Sequence, residues 1–159
     1  MRFCSIASGS SGNCIYVGSE NTHVLVDTGI SGKKMEAGLN SLDLTGRDLD
    51  GILITHEHSD HIKGLGVISR KYGIPIYTTG GTVDAMVRTN ALGKIPDGIF
   101  HEIKEDEPFE IGDLTVNPFS IPHDAAQPVG YRLECDGHSV GIATDLGKYN
   151  DYIIENLQN

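Results

Sequence analysis

Three histidines and an aspartate fall within six positions, His56-Glu57-His58-Ser59-Asp60-His61. Before them runs an apolar stretch, residues 51–55 (GILIT). After them Ile62, Leu65, Ile68 and Tyr72 recur every three or four positions. No other stretch constrains the fold as much. With seven histidines in 159 residues, an H-x-H-x-D-H string arises by chance in roughly one such chain in a thousand. The preceding run reads as a buried strand, and the following segment as a helix that Gly73 stops. Side chains two apart on extended backbone point the same way, so His56, His58 and Asp60 can converge. His61, at the turn into the helix, can face a neighbouring position. Imidazole and carboxylate donors together suit Zn, Mn or Fe. Two histidines with a shared third ligand make one ion site, and Asp60 with His61 begins a second. Glu57 holds the alternate position and is expected to point away, toward the surface or a supporting contact.

A pair of ions needs more donors, and two later strand ends offer them. His123 follows the run 119–121, and Asp145 ends the apolar run 141–144. Strand ends on one sheet edge are where α/β proteins gather their sites. A carboxylate such as Asp145 can bridge two ions roughly 3.5–4 Å apart. Asp27 closes the run Val24-Leu25-Val26-Asp27-Thr28-Gly29. It is expected to accept a hydrogen bond from a ligand imidazole or from the backbone of the histidine loop. The same D-T-G string admits a rival, in which two copies bring two Asp27 side chains together to share a proton, as in aspartic proteases. That rival leaves the histidine loop without a role. In the Gly- and Ser-rich stretch 8–13, Ser11 and Asn13 are candidates to meet a substrate phosphate. A plain hairpin turn explains the stretch equally well.

The rest of the chain reads as α/β with a mixed sheet. Runs 2–7, 13–18 and 22–27 form an antiparallel meander. A helix follows over 31–42 behind a capping Ser31, then a strand at 75–79 and a helix at 82–92. Beyond Pro96 come strands at 99–103, 109–111, 114–121, 129–134 and 139–144, then an amphipathic helix at 150–157. The acidic stretch 101–113 reads as a solvated turn between strands. His23 and His101 read as ordinary strand or turn residues, and His138 as part of an exposed hairpin turn. Cys4, Cys14 and Cys135 read as small core side chains; with no export signal they suggest reduced thiols and a cytoplasmic setting. No apolar run approaches the ~18 residues of a membrane span. The net charge of -10 opposes a long non-specific footprint on nucleic acid, although bound cations would reverse the sign locally.

The order of these features resembles the metallo-β-lactamase-fold hydrolases: Asp27 at a strand end, the H-x-H-x-D-H loop, a later His123, then a strand-terminal Asp145. The stretches ASGSSGN, HEHSDHIKGLG and SIPHDA are most similar to the YycJ/WalJ-type branch. The resemblance implies an αββα sandwich, here a single incomplete domain over 1–159 with the first half and part of the second. It implies two divalent ions, Zn2+ or Mn2+ with Fe as a further option. His56, His58 and His123 would hold the first ion, Asp60 and His61 the second, and Asp145 would bridge. It implies a cytoplasmic nuclease that cleaves DNA phosphodiesters, Asp60 orienting the attacking group. The helix starting near Ile62 would aim its N-terminus at the site and favour an anionic substrate. Such families carry another histidine late in the chain, whereas here the only histidine after His123 is His138. A truncated chain is therefore expected, with exposed apolar edges that favour a homodimer. Two other functions remain: a thioester or lactone hydrolase on the same scaffold, and a metal-binding module without catalysis.

Overall fold

The computed structural model describes residues 1–144 and 151–158. Three strands, β1 (Arg2–Ala7), β2 (Cys14–Gly18) and β3 (His23–Val26), form the antiparallel meander, with a register shift between Ser5 and Ala7. Three further strands then add in parallel: β4 (Gly51–Leu53), β5 (Ile76–Thr79) and β6 (Phe100–Ile103). The resulting six-stranded sheet runs β1-β2-β3-β4-β5-β6. Parallel pairing requires crossovers. These are α1 (Gly32–Asn40), the pair α2 (Ser59–Ile62) and α3 (Leu65–Tyr72), and α4 (Gly80–Arg88). A second sheet is antiparallel, in the order β10-β9-β8-β7. Its strands are β7 (Phe109–Ile111), β8 (Leu114–Ser120), β9 (Val129–Cys135) and β10 (His138–Ile142).

The period-two alternation of strands assigns each side chain to a layer. In β3, Leu25 packs toward the helices with Met35, Leu39, Leu65, Ile68 and Met86. Its neighbours Val24 and Val26 face the second sheet and meet Leu114, Val116, Tyr131 and Leu133. The layers are therefore helices, sheet, sheet. A seven-residue α5 (Asp151–Leu157) buries Ile153 with Phe119 and Ile121 and begins an outer layer. This is the expected αββα architecture. No helix among the described residues is long and apolar enough to cross a membrane.

Two elements differ from the sequence expectation. The helix expected from Ile62 to Tyr72 is two helices broken at Gly64. A Cβ at Gly64 would lie 2.1 Å from the Ile30 carbonyl oxygen, and the Gly64 amide donates to the Thr28 carbonyl. A tertiary close approach thus overrides the local periodicity. The stop is as expected, with Gly73 left-handed at φ 63°. Consequently the helix at the histidine loop is a four-residue turn, too short for the N-terminal dipole expected there. In addition, α4 starts at Gly80, not Thr82. Its Gly80-Gly81 pair reads as a breaker in sequence. In the fold, Gly81 lacks the Cβ that would sit 2.7 Å from that of Gln127.

Candidate metal centre

The site forms where the loops after β3, β4 and β8 meet the loop before β2. Backbone bonds lock three of these together. The Asn13 amide donates to the Asp60 carbonyl, Gly29 to Asn13, Thr28 to His61, and Asp27 to Leu53. A Cβ on Gly29 would lie 1.7 Å from the Asp60 carbonyl oxygen, so only glycine permits this approach. The second sheet joins at the same point: the Val129 amide donates to the Thr55 carbonyl at 3.0 Å. Beneath it the buried Tyr131 hydroxyl donates to the Ile54 carbonyl at 2.7 Å. The end of β4 is therefore held from both layers.

On this frame three imidazoles converge. His56, His58 and His123 each bring one ring nitrogen to within 4.8 Å of the others. His123 Nε2 lies 3.2 Å from His58 Nδ1. Ring centroids are 4.7 Å apart for His56 and His58, and 4.5 Å for His56 and His123. His56 is fully buried and places Nδ1 3.0 Å from Thr55 Oγ1. A tetrahedral ion about 2.0–2.1 Å from each nitrogen sets its ligands roughly 3.4 Å apart. The cluster meets that spacing with small rotations, so its donor set fits a divalent ion.

His61 stands next to this trio, its ring centroid 4.0 Å from that of His56. Its Nδ1–H donates to Asp27 Oδ2 at 2.6 Å, which turns Nε2 toward Asp60 Oδ2 at 3.5 Å. Asn13 Nδ2 reaches Asp60 Oδ2 at 3.3 Å and lies 3.3 Å from His61 Nε2. Asp60 and His61 thus present oxygen and nitrogen on one side of the trio. Asp27 is 1% exposed and left-handed at φ 64°, a conformation Asp tolerates. It accepts from the Thr55 amide and the Thr55 hydroxyl, both at 2.8 Å. Burial pushes its carboxyl pKa up, and the His61 and Thr55 hydrogen bonds oppose that. With its carboxylate buried and engaged in this way, Asp27 cannot meet an Asp27 of a second copy. The aspartic-protease rival is thereby overturned.

Not every expected residue joins the cluster. Ser11 lies on the exposed turn and lines a cleft with Ile6, Lys34 and Gly38. Asp145 falls outside the described residues. His138 is not in the hairpin turn itself but opens β10, paired with Cys135, just past Asp136 (φ 49°) and Gly137 (φ 77°), which supply the left-handed pair. That turn is at the far end of β9, about 20 Å along the strand from the site. A cleft of about 640 Å³ is there too and contains none of the converging imidazoles. His23 bonds Tyr16 Oη at 2.6 Å, and His101 stacks on Tyr77. All three cysteines are free thiols, and burial pushes that of Cys14 up to about 12. Thr55 was not singled out by the sequence. Besides its chain neighbour His56 and the nearby His61, it bonds Asp27, 28 positions earlier, only because β3 and β4 are neighbours, and no local pattern encodes that.

Comparison with known proteins agrees with this geometry. A family model described as a beta-lactamase superfamily domain matches residues 22–159. The chain is 41% identical over 151 residues to exodeoxyribonuclease YycJ of Bacillus anthracis, covering 95% of this chain and 56% of that protein. It is 39% identical over 158 residues to exodeoxyribonuclease WalJ of Streptococcus pneumoniae serotype 2, covering 99% and 59%. The chain thus spans less than three-fifths of the length of these curated relatives. Among solved structures, the S60 mutant of a Cronobacter sakazakii metallo-β-lactamase with a HARLDQ motif superposes with a TM-score of 0.74 at 14% identity, covering 96% of this chain and 67% of that one. Zn(2+)-bound PqqB of Methylobacterium extorquens gives 0.72 at 17%, covering 89% and 55%. With its fold, its histidine loop and the family model in agreement, the chain belongs to the beta-lactamase superfamily.

Proposed function

We propose that this chain carries the metal centre of a nuclease that hydrolyses DNA phosphodiesters. The observation that carries the reading is the convergence of His56, His58 and His123 beside Asp60 and His61. Its similarity to two exodeoxyribonucleases over 95% and 99% of its length supports DNA as the substrate. In this reading His56, through Nε2, would hold the first ion with His58 and His123, His61 Nε2 and the Asp60 carboxylate would serve a second, and Asp145, outside the described residues, would be the carboxylate they share. Zn2+ or Mn2+ suits such nitrogen and carboxylate donors, and Fe is a further option. Bound divalent ions supply Lewis acidity, stabilising charge on phosphoryl oxygens and lowering the pKa of water.

The chain's own residues do the rest. Asp60 accepts a hydrogen bond from the attacking water and orients it toward phosphorus, which makes it the catalytic residue. Asn13 holds that carboxylate in place and would border the substrate phosphate; Ser11, on the exposed turn outside the cluster, would meet only a longer substrate. Asp27 holds the Nδ1 proton of His61 and keeps the Nε2 lone pair directed at the site. Three free thiols suit a reducing, cytoplasmic setting. A homodimer remains part of the proposal.

The test incubates metal-loaded protein with end-labelled DNA, bis(p-nitrophenyl) phosphate and a thioester. Cleavage of the two phosphodiesters, lost in Asp60→Asn, is the expected result. Turnover of the thioester alone overturns the nuclease reading, and no turnover with ions bound favours a non-catalytic module.

A further inference from the structure

One loop grips the histidine segment from both sides. His58 is extended at φ -64° and ψ 146°; His56 and His58 turn their rings to His123, and Glu57 between them reaches the Ala126 amide instead. The loop 122–128 makes both contacts. In the first, His123 Nε2 lies 3.2 Å from His58 Nδ1. In the second, the Ala126 amide donates to the Glu57 carboxylate, at 3.0 Å to Oε2 and 3.4 Å to Oε1. Only two residues, Asp124 and Ala125, thus separate the two arms of a clasp closed over the histidine segment.

The base of the loop is fixed independently. The Ile121 amide donates to the Pro128 carbonyl at 3.3 Å. Thr79 Oγ1 donates to the Gln127 carbonyl at 2.8 Å, and the Gly81 amide to Gln127 Oε1 at 2.8 Å. The tip carries an internal bond, from the Ala125 amide to the His123 carbonyl at 3.0 Å. Gln127 Nε2 also donates to Glu105 Oε1 at 3.0 Å, and Glu57 is the carboxylate that ties down the Ala126 amide itself. Because His123 sits on the same short turn, fixing one arm fixes the other.

We propose that Glu57 is a positioning residue that holds His123 against His56 and His58. The inference rests on the metal-centre reading for its consequence, a preorganised third nitrogen, but not for its geometry. Ligand-orienting contacts of this kind are typically worth 10–100-fold in metal affinity. Glu57→Ala removes the acceptor. Glu57→Gln keeps a neutral acceptor of the same length.

The experiment uses this chain and two readouts. The first is amide exchange at Ala126, followed by NMR in chelated protein. The second is zinc affinity by competition with a chelating indicator. Glu57→Ala is expected to speed exchange at Ala126 about tenfold and to weaken zinc binding about tenfold, with Glu57→Gln between it and wild type. In a His123→Ala background, Glu57→Ala should weaken zinc binding no further, because its effect runs through His123. Unchanged Ala126 exchange in Glu57→Ala overturns the proposal. A full additional loss of zinc affinity in the His123→Ala background overturns it too, since Glu57 would then act by its charge alone. Should wild type bind no zinc, the metal-centre reading fails, and Ala126 exchange in chelated protein decides the clasp by itself.

Discussion

Replacing Asp27 separates a structural carboxylate from one that controls a ligand. Its side chain accepts three hydrogen bonds, from the Thr55 amide, the Thr55 hydroxyl and His61 Nδ1. Asp27→Ala removes all three. The Thr55 hydroxyl can turn to His56 Nδ1 at 3.0 Å, but the Thr55 amide has no described alternative. One stranded buried donor costs about 1–3 kcal/mol, and an alanine held left-handed adds about 1–2. With the weakened His61 contact, the expected loss is about 3–5 kcal/mol, a large fraction of the ~5–15 that folds a typical domain. Asp27→Asn behaves differently. It keeps the acceptor for the Thr55 amide and tolerates φ 64°, so it should cost only about 1–2 kcal/mol. Its NH2 group, however, forces His61 to accept at Nδ1 and carry its proton on Nε2. That removes the lone pair facing Asp60, and ion affinity there should fall about 10–100-fold. Urea unfolding of chelated protein measures the first effect. Nitrogen NMR of the His61 tautomer with calorimetric metal titration measures the second. An Asp27→Asn protein with His61 still protonated at Nδ1 and unchanged affinity would refute the reasoning.

Three further outcomes follow from the same coordinates. Gly29→Ala drives a Cβ to 1.7 Å from the Asp60 carbonyl oxygen; thermal unfolding should show a loss of several kcal/mol, and a wild-type melting temperature would contradict the packing described. Zinc at one hundred times its dissociation constant should stabilise wild type by about 2.7 kcal/mol and should stabilise His123→Ala far less, as read by melting with and without chelator. The Tyr72 hydroxyl, followed by Lys71, holds the Glu36 carboxyl below its ordinary value of about 4.3. The contribution is thus present above about pH 4.3 and lost as pH falls through the lower folded value, so Glu36→Gln should flatten acid unfolding in that window.

Much of the fold is legible in the chain because its signals are local. The alternation Val24-Leu25-Val26 marks a strand between two layers, Ser31 accepts from the Lys34 amide as an N-cap, and Asp136-Gly137 marks a tight hairpin. Gly64 and the Gly80-Gly81 pair mislead because their reasons lie in the Ile30 carbonyl and in Gln127, far along the sequence. The candidate site divides the same way. The string His56 to His61 announces itself. The seating of Asp60 by Asn13, 47 positions earlier, and of Glu57 by Ala126, 69 positions later, depends on which strands become neighbours. The dipole expected from a continuous helix running from Ile62 to Tyr72 is absent for that reason as well, since the break at Gly64 leaves α2 with four residues.

X-ray absorption at the zinc edge of the loaded protein tests the metal centre most directly. The account predicts a first shell dominated by imidazole nitrogen at about 2.0–2.1 Å, with the imidazole signal reduced in His123→Ala. A shell of oxygen alone, unchanged by that substitution, would contradict it.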